Sequence, residues 1–484
     1  MKRPVLQRLA LSTLPLALAA CAVQRPPAAV QAPAPAAWHA PLPHQGSVAD
    51  LADWWQRHSD PLLGALIVDA QALSPTVAEA GARLAQARAQ QTAARAALLP
   101  SLDAQASASR GFNEQVRGVA TTAQAGLQAG WEIDLFGRNA AVADAARERL
   151  AGAQAQWHEA RVSVAAETAL QYSNWHHCAR QLQVAQADAR SRGETARLTR
   201  ESERAGFTAP ATAALATASQ ADSAVRAEQQ PLPCEVLVKT LVAPTGRAEP
   251  LLRSQLAAAP PLHPPEQLFS IDGLPAQTLA QRPDVYAAER EVAAASAEVG
   301  DAQAQRYPRL TLSGTIGRGL VRTAGVQATS NTWSIGPLAV TLPLFDGGRR
   351  AAQVDAARAR YDSAAQAYRA QVRQAVSEVE QALARLDSTA RRSTDARRAA
   401  EDYRRSFTAT QERWRAGLAS LVELEDARRT ALASDTAVVA LEQERMAAWV
   451  ALYRAAGGGW TPEADAPAAQ TSTQAATTPP SSSH

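Results

Sequence analysis

Aromatic residues make up only 5% of the 484 residues, and the chain carries just three cysteines and two methionines. So thin an aromatic supply, beside abundant Ala, Gln, Arg and Glu, excludes a row of compact globular cores and points to long helices. Cys21, Cys178 and Cys234 are too few for a disulfide framework. Cys178 and Cys234 are expected as two buried free thiols, with a single bridge between them as the alternative. Net charge is only +3, and Lys2, Arg3 and Arg8 account for that much by themselves. The near-neutral remainder removes the electrostatic case for nucleic acid. After the apolar run from Leu6 to Ala20, no segment offers the roughly 18 apolar residues that a spanning helix needs. Any passage through a membrane must then use strands.

Catalytic patterns are missing as well. No His-Glu-x-x-His or Gly-x-Ser-x-Gly occurs, and Gly457-Gly458-Gly459 lacks the Lys-Ser/Thr of a phosphate loop, which leaves it as a helix end. His176, His177 and Cys178 are consecutive. On a helix their side chains point about 100° apart and cannot converge on one ion. An enzyme is not expected, and neither a catalytic residue nor a metal site is assigned.

What the chain does have is a message given twice, about 210 residues apart, which marks an internal duplication. Pro100-Ser101-Leu102 opens a strand pair that closes at Trp131 to Arg138. Pro308-Arg309-Leu310 opens a second that closes at Leu342 to Arg349. Arg204-Ala205-Gly206 matches Arg415-Ala416-Gly417 in the same register. Helical stretches are expected at roughly 60–99, 138–205, 208–230, 276–307, 348–415 and 419–456. The two long ones would extend about 100 Å at 1.5 Å per residue, too far to bury in a globule, so they must pack along partners as coiled coils. Gly206 and Gly417 are expected to turn the chain at their far ends.

Strict alternation marks the strands. Ala123, Ala125, Leu127, Ala129, Trp131, Ile133 and Leu135 share one face, and Gln124, Gly126, Gln128, Gly130, Glu132 and Asp134 share the other. Leu102, Ala104, Ala106 and Ala108 alternate likewise with Ser101, Asp103, Gln105, Ser107 and Ser109. The second pair has Leu310, Leu312 and Ile316 in one strand and Trp333 and Ile335 in the next, and at Pro337 the phase switches to Leu338, Val340 and Leu342, which predicts a bulge. Loops are expected over Gly111–Ala120 and Val321–Thr332. Strands with one apolar and one polar face fit a transmembrane barrel, but four cannot close one, since even a filled barrel takes about eight. Several protomers must contribute, and the pore exists only in the oligomer.

Met1-Lys2-Arg3, the apolar run to Ala20 and Leu18-Ala19-Ala20-Cys21 read as a signal peptide ending in a lipobox, with Cys21 the acylated first residue of the mature protein. The expected organisation is then a signal peptide at 1–20 and a lipidated, extended tether at 21–59. The first-half helix (60–99) and β-hairpin 1 (100–136) come next, followed by long helices with an equatorial segment (137–275). The second half has a helix (276–308), β-hairpin 2 (309–345) and long helices (346–460), and a disordered tail (461–484) ends the chain.

These residues resemble the outer-membrane efflux family of TolC-like channels, and within it the lipoprotein branch of OprM and the NodT-type proteins. The resemblance covers nearly the whole mature chain. It rests on Trp54-Trp55, Trp131 to Arg138, Leu279-Ala280-Gln281-Arg282-Pro283-Asp284-Val285 with Ala288-Glu289, and Pro343 to Arg349. Ala427-Arg428-Arg429, Leu452-Tyr453-Arg454-Ala455 and Gly457 to Trp460 complete it. It implies an α+β membrane protein: a homotrimer whose four transmembrane β-strands per protomer close a 12-stranded β-barrel in the outer membrane, above a hollow α-helical periplasmic barrel. It also implies a periplasmic adaptor and an inner-membrane pump of the resistance-nodulation-division type as partners, contact with outer-membrane lipid, and no cofactor beyond the covalent lipid on Cys21. Substrate would pass through without chemistry.

By the same resemblance the closed end lies at Leu418 to Arg428. Val422 and Asp426 share a helix face there, with Glu423 beside them, and would ring the threefold axis as a periplasmic gate. The turns at Gly206 and Gly417 would meet the adaptor. Ala211 and Leu215 hold the equivalent places in the first half, so any charge at the gate occurs once per protomer. Leu241 to Gly246 and Pro231-Leu232-Pro233-Cys234 depart from the family pattern and leave the equatorial details open. The expected cargo is small molecules, namely drugs, solvents or metals. A conduit for protein secretion is one alternative, and a coiled-coil lipoprotein without a pore is the other.

Overall fold

The computed structural model describes residues 23–35, 38, 40, 61–114, 117–262, 279, 282–323 and 325–460. Cys21, Trp54-Trp55 and the tail at 461–484 lie outside the described residues. The expected first helix is two, α1 (Pro61–Leu73) and α2 (Pro75–Ala96), bent by 53° at the break. Ser74 caps α2, its Oγ accepting from the Val77 N–H at 3.3 Å, and Pro75 stands at the first position, where its missing N–H costs nothing. Then come β1 (Ser101–Asn113), β2 (Gly118–Ile133) and α3 (Arg138–Arg204), a helix of 67 residues.

The chain returns along α4 (Pro210–Gln229) and continues through α5 (Pro231–Thr245) and α6 (Glu249–Ala258). The last two helices were not among the expected six. Pro231 and Pro233, which depart from the family pattern, sit in the first turn of α5, where proline is tolerated. The second half runs α7 (Pro283–Ala304), β3 (Arg309–Thr323), β4 (Val326–Thr341), α8 (Arg349–Arg415) and α9 (Leu421–Ala455). Helix α8 also has 67 residues. Gly457–Gly459 closes the described chain as a short 3-10 turn, the helix end that the missing phosphate-loop residues left as the reading.

The strands form one antiparallel sheet in the order β1-β2-β3-β4. The alternation predicted over 101–109 and 123–135 is present but longer, and the strands run through most of the expected ten-residue loops. Asn113 pairs with Gly118 and Thr323 with Val326. Arg110, Arg322 and Thr329 obscured the alternation there, because polar residues occupy apolar-phase positions. The bulge at Pro337 is present as a register shift between Leu312 and Gly314 on the partner strand.

Midway along the long helices, α1, α5 and α6 pack around α3, α8 and α9. Leu66, Leu241, Leu252, Leu256, Tyr172, Leu383, Trp449 and Leu452 form its center, each 2% exposed or less. Elsewhere the long helices approach on alanine and glycine: Ala141, Ala145, Gly152 and Ala155 line the buried side of α3. At Gly152 a Cβ would sit 3.6 Å from the Ala287 carbonyl oxygen, so a larger side chain would hold α3 and α7 apart.

The two thiols were expected free, and this is corrected: Cys178 and Cys234 form a disulfide with Cα atoms 5.5 Å apart. Both are buried, as expected. They are close enough to join because α5 begins at Pro231 and brings Cys234 back against α3 instead of carrying it away in a loop. His177 beside them directs Nδ1 at the Ser173 carbonyl oxygen, 2.6 Å away, and among the described residues no group of side chains could hold a metal.

The described residues of the N-terminal tether, 23–35, 38 and 40, carry no helix or strand and are docked on the helices. Arg25 reaches Asp144 at 3.0 Å, and the Pro26 and Pro27 carbonyl oxygens accept from Ser296 Oγ (2.6 Å) and Tyr361 Oη (2.9 Å). Further on, the Ala40 N–H donates to Glu380 at 2.8 Å. Arg25 packs on Gly300 in the last turns of α7, the helix that leads into β3.

The family-like stretch around Arg282 now has a physical role. Arg282, 5% exposed, holds Asp284 through two N–H···O bonds at 3.0 and 2.6 Å, donates to the Ala455 carbonyl oxygen at 3.0 Å and pairs with Glu378 at 2.8 Å. It thereby ties the start of α7 to α8 and the end of α9. Burial alone would raise the Asp284 carboxyl, but the Arg282 guanidinium outweighs it and holds Asp284 below its ordinary value. An acid whose folded value is depressed contributes stability above its unfolded value near pH 4, and that stability is lost as pH falls through the lower folded value. Asp284→Asn is therefore expected to lower thermal stability by roughly 1–3 kcal/mol at neutral pH and to flatten the loss below pH 4. Melting curves across pH 3–7 check this, and parallel wild-type and variant curves would refute it.

Candidate functional site

Both long helices end alike. Helix α3 stops at Gly206 (φ +78°), whose N–H donates to the Glu203 carbonyl at 2.9 Å while Phe207 N–H reaches back to Ser202 at 2.8 Å. Helix α8 stops at Gly417 (φ +76°), with Gly417 N–H to Trp414 at 2.9 Å and Leu418 N–H to Arg413 at 2.7 Å. Left-handed glycine and the paired 6→1 and 5→2 bonds satisfy the last carbonyls and reverse the chain, as the sequence led one to expect of these two residues. Each turn exposes an apolar residue, Phe207 at 86% and Leu418 at 70%.

Helix α9 starts with a reciprocal cap. Ser420 Oγ accepts from the Glu423 N–H at 3.1 Å and the Glu423 carboxylate accepts from the Ser420 N–H at 2.7 Å. These bonds hold the Glu423 carboxyl below its ordinary value. Glu423, grouped from the sequence with Val422 and Asp426, thus fixes where the helix begins. Val422 is 58% exposed, and Asp426 is exposed on the same face, its carboxylate 3.1 Å from Arg429 one turn on. In the first half Ala211 and Leu215 occupy the same places relative to the start of α4, and both are exposed.

The opposite face of α9 holds what sequence reasoning missed. Glu425 is a bridge between halves, not a solvated charge. Its carboxylate accepts from Arg192 on α3, from Ser219 Oγ on α4 at 2.9 Å and from Arg428 on α9. Arg192 also grips Asp188 at 2.9 Å, and Arg428 donates to Thr195 Oγ1 at 2.8 Å and lies 5.4 Å over the Phe407 ring. Arg428 is 3% exposed, and burial pushes its guanidinium below its ordinary value, with Glu425 opposing. The carboxylates of Asp188 and Glu425 offset the buried guanidiniums of Arg192 and Arg428, and Arg226 reaches Asp188 at 3.6 Å from the more exposed side. A signal was present: Leu421, Leu424, Arg428 and Ala431 form one stripe at helical spacing, and an arginine inside an apolar stripe has to be paired.

This end of the molecule can therefore separate two tasks. An inner seam locks α9 to α3 and α4, and an exposed face presents Val422, Asp426 and Arg429 outward.

Comparison with known proteins fits this geometry. The sequence profile described as "Outer membrane efflux protein" matches residues 66–232 and 274–458. The pyoverdine export outer membrane protein OpmQ of Pseudomonas putida is 30% identical over 95% of this chain and 99% of its own length. The outer membrane protein OprJ of Pseudomonas aeruginosa is 30% identical over 92% of this chain and 94% of its own. The solved structure of the outer-membrane channel OprN superimposes with a TM-score of 0.78 at 26% identity, covering 90% of this chain and 99% of that one.

Proposed function

The chain belongs to the outer membrane efflux protein family, whose members are channels and not enzymes, and from that premise we propose that three copies form one conduit carrying small molecules out of a Gram-negative cell. The observation that carries this reading is the sheet. One face shows Trp333 at 75%, Ile335 at 84%, Leu102 at 67% and Val340 at 66% exposure, with nothing among the described residues to cover them. Strands β1 and β4 leave both edges open, which water-exposed folds avoid and barrels abolish. Three sheets joined edge to edge would remove every edge, place the apolar face in lipid and leave the polar face around a 12-stranded lumen. Three pairs of long helices would continue the tube into the periplasm, and the two halves of each chain would give it similar walls.

Energy comes from elsewhere in this reading: an inner-membrane pump and a periplasmic adaptor deliver the cargo, and the turns at Gly206 and Gly417 meet the adaptor. Val422 and Asp426 ring the axis at the closed end. Cys21 carries lipid, a reading supported by the docked tether, whose Arg25 packs against the end of α7 that leads into β3. A relative named for pyoverdine export favours small molecules over proteins as cargo, and the uncovered sheet face weighs against a coiled-coil lipoprotein without a pore.

One reconstitution tests the whole. Palmitate-labelled protein and its Cys21→Ser variant, placed in planar bilayers, are expected to conduct alike, with label on the wild type only. Silence from well-folded trimers would overturn the conduit, and label on the variant would overturn the anchor.

A further inference from the structure

The apolar face of the sheet is not apolar to its end. Cross-strand register places Leu310, Ile133 and Val340 in its first row, then Leu312, Trp131 and Leu338, and later Ile316, Leu127 and Trp333. Beyond these the same face carries arginine: Arg318 beside Ala125 and Asn331, then Arg110 and Arg322 flanking Thr121 in one row with Gln327. All three are exposed, and none has an ion pair or side-chain hydrogen bond among the described residues. The sheet's acidic residues, Asp103 and Glu132, lie on the other face, and Glu132 is already paired with Arg309 at 2.6 Å.

Position turns this into a site. At about 3.3 Å per residue and about 40° of tilt, Arg318 stands roughly 20 Å beyond Leu310 along a barrel axis and Arg322 roughly 30 Å. A transmembrane barrel has an apolar band about 25 Å tall. The three guanidiniums thus stand at and just above its far edge, where a long side chain can reach upward from lipid. Arg110 and Arg322 are two strand spacings apart, about 10 Å, so each can take its own anion.

Guanidinium pairs bidentately with phosphate, and a cation facing lipid without a counter-charge is unfavourable. We propose that Arg110, Arg318 and Arg322 form a binding belt for the phosphate groups of outer-leaflet lipid headgroups. This rests on the membrane-channel reading above. The belt fixes how deeply the barrel sits, and it selects phosphorylated lipid neighbours over uncharged ones.

The test uses full-length protein and the Arg110→Gln/Arg318→Gln/Arg322→Gln variant in phosphatidylcholine vesicles containing bisphosphorylated lipid A or its dephosphorylated form. Native mass spectrometry of the extracted trimers is expected to show wild type retaining the phosphorylated lipid at least tenfold over the dephosphorylated one. The variant should lose that preference while floating with vesicles and conducting normally. Equal retention by the variant overturns the belt, as does displacement of the lipid by millimolar inorganic phosphate, which would make the site one for free phosphate. If wild type fails to float with either vesicle, the channel reading itself falls. If it floats and conducts without lipid preference, only the belt does.

Discussion

Glu425→Leu is expected to loosen the tip of the channel more than any other single change. The carboxylate it removes is shared by Arg192, Ser219 and Arg428. Arg192 keeps Asp188 at 2.9 Å, but Arg428, 3% exposed, is left with a hydroxyl and an aromatic ring. Removing one partner from a buried ion pair costs about 3–5 kcal/mol, because the other charge stays buried without compensation. A loss of about 3 kcal/mol shifts the balance between locked and separated helices by roughly a hundredfold. Raised single-channel conductance and sensitivity of cells to a large antibiotic such as vancomycin are the expected readouts. The double variant Glu425→Leu/Arg428→Leu is expected to return close to wild type, since apolar residues of similar volume can replace a buried pair at little or no loss. If the single variant melts and conducts like wild type, the seam does not lock the tip. If the double variant is worse than the single, the cost is one of packing and not of an orphaned charge.

What could be read beforehand follows from periodicity. Alternation in 101–109, 123–135 and the segments between 310 and 342, together with the long Ala-rich stretches, placed four strands and both 67-residue helices, because each repeats its signal over several rungs or turns. Single residues with two meanings were misread. Pro75 starts a helix inside what was expected as one continuous stretch over 60–99, and Pro231 starts one where none was expected. The disulfide depended on where α5 lay against α3, and no local pattern near Cys178 or Cys234 encodes that. The candidate site divided in the same way. Gly206 and Gly417 were legible as turns because a left-handed turn leaves few other choices. The shared exposed face of Val422 and Asp426 follows from their spacing of four, while their place at a gate rests on the resemblance alone. Glu425 was not, since its partners stand 206 and 233 residues away in the chain.

The exposed face of α9 yields the other large effect, and it depends on assembly. Three Asp426 carboxylates brought within about 6 Å around an axis would repel by roughly 3 kcal/mol per pair at an effective dielectric near 20. Arg429, 3.1 Å from Asp426 in the same chain, supplies the counter-charge that lets such a ring close. The first half has Ala211 and Leu215 at the corresponding places, so the ring would hold three carboxylates and not six. Asp426→Ala should then widen and neutralise the constriction together: conductance rises about twofold or more and cation preference falls. Arg429→Ala should act oppositely on selectivity, because the ring keeps its negative charge without its partner, and it should resist closing. Ion selectivity separates this from a purely steric plug, for which Val422→Ala alone would raise conductance and leave cation preference unchanged. Unaltered conductance and selectivity in both charge variants would show that Asp426 and Arg429 are an ordinary surface pair of the kind worth under about 1 kcal/mol, and that the channel closes elsewhere.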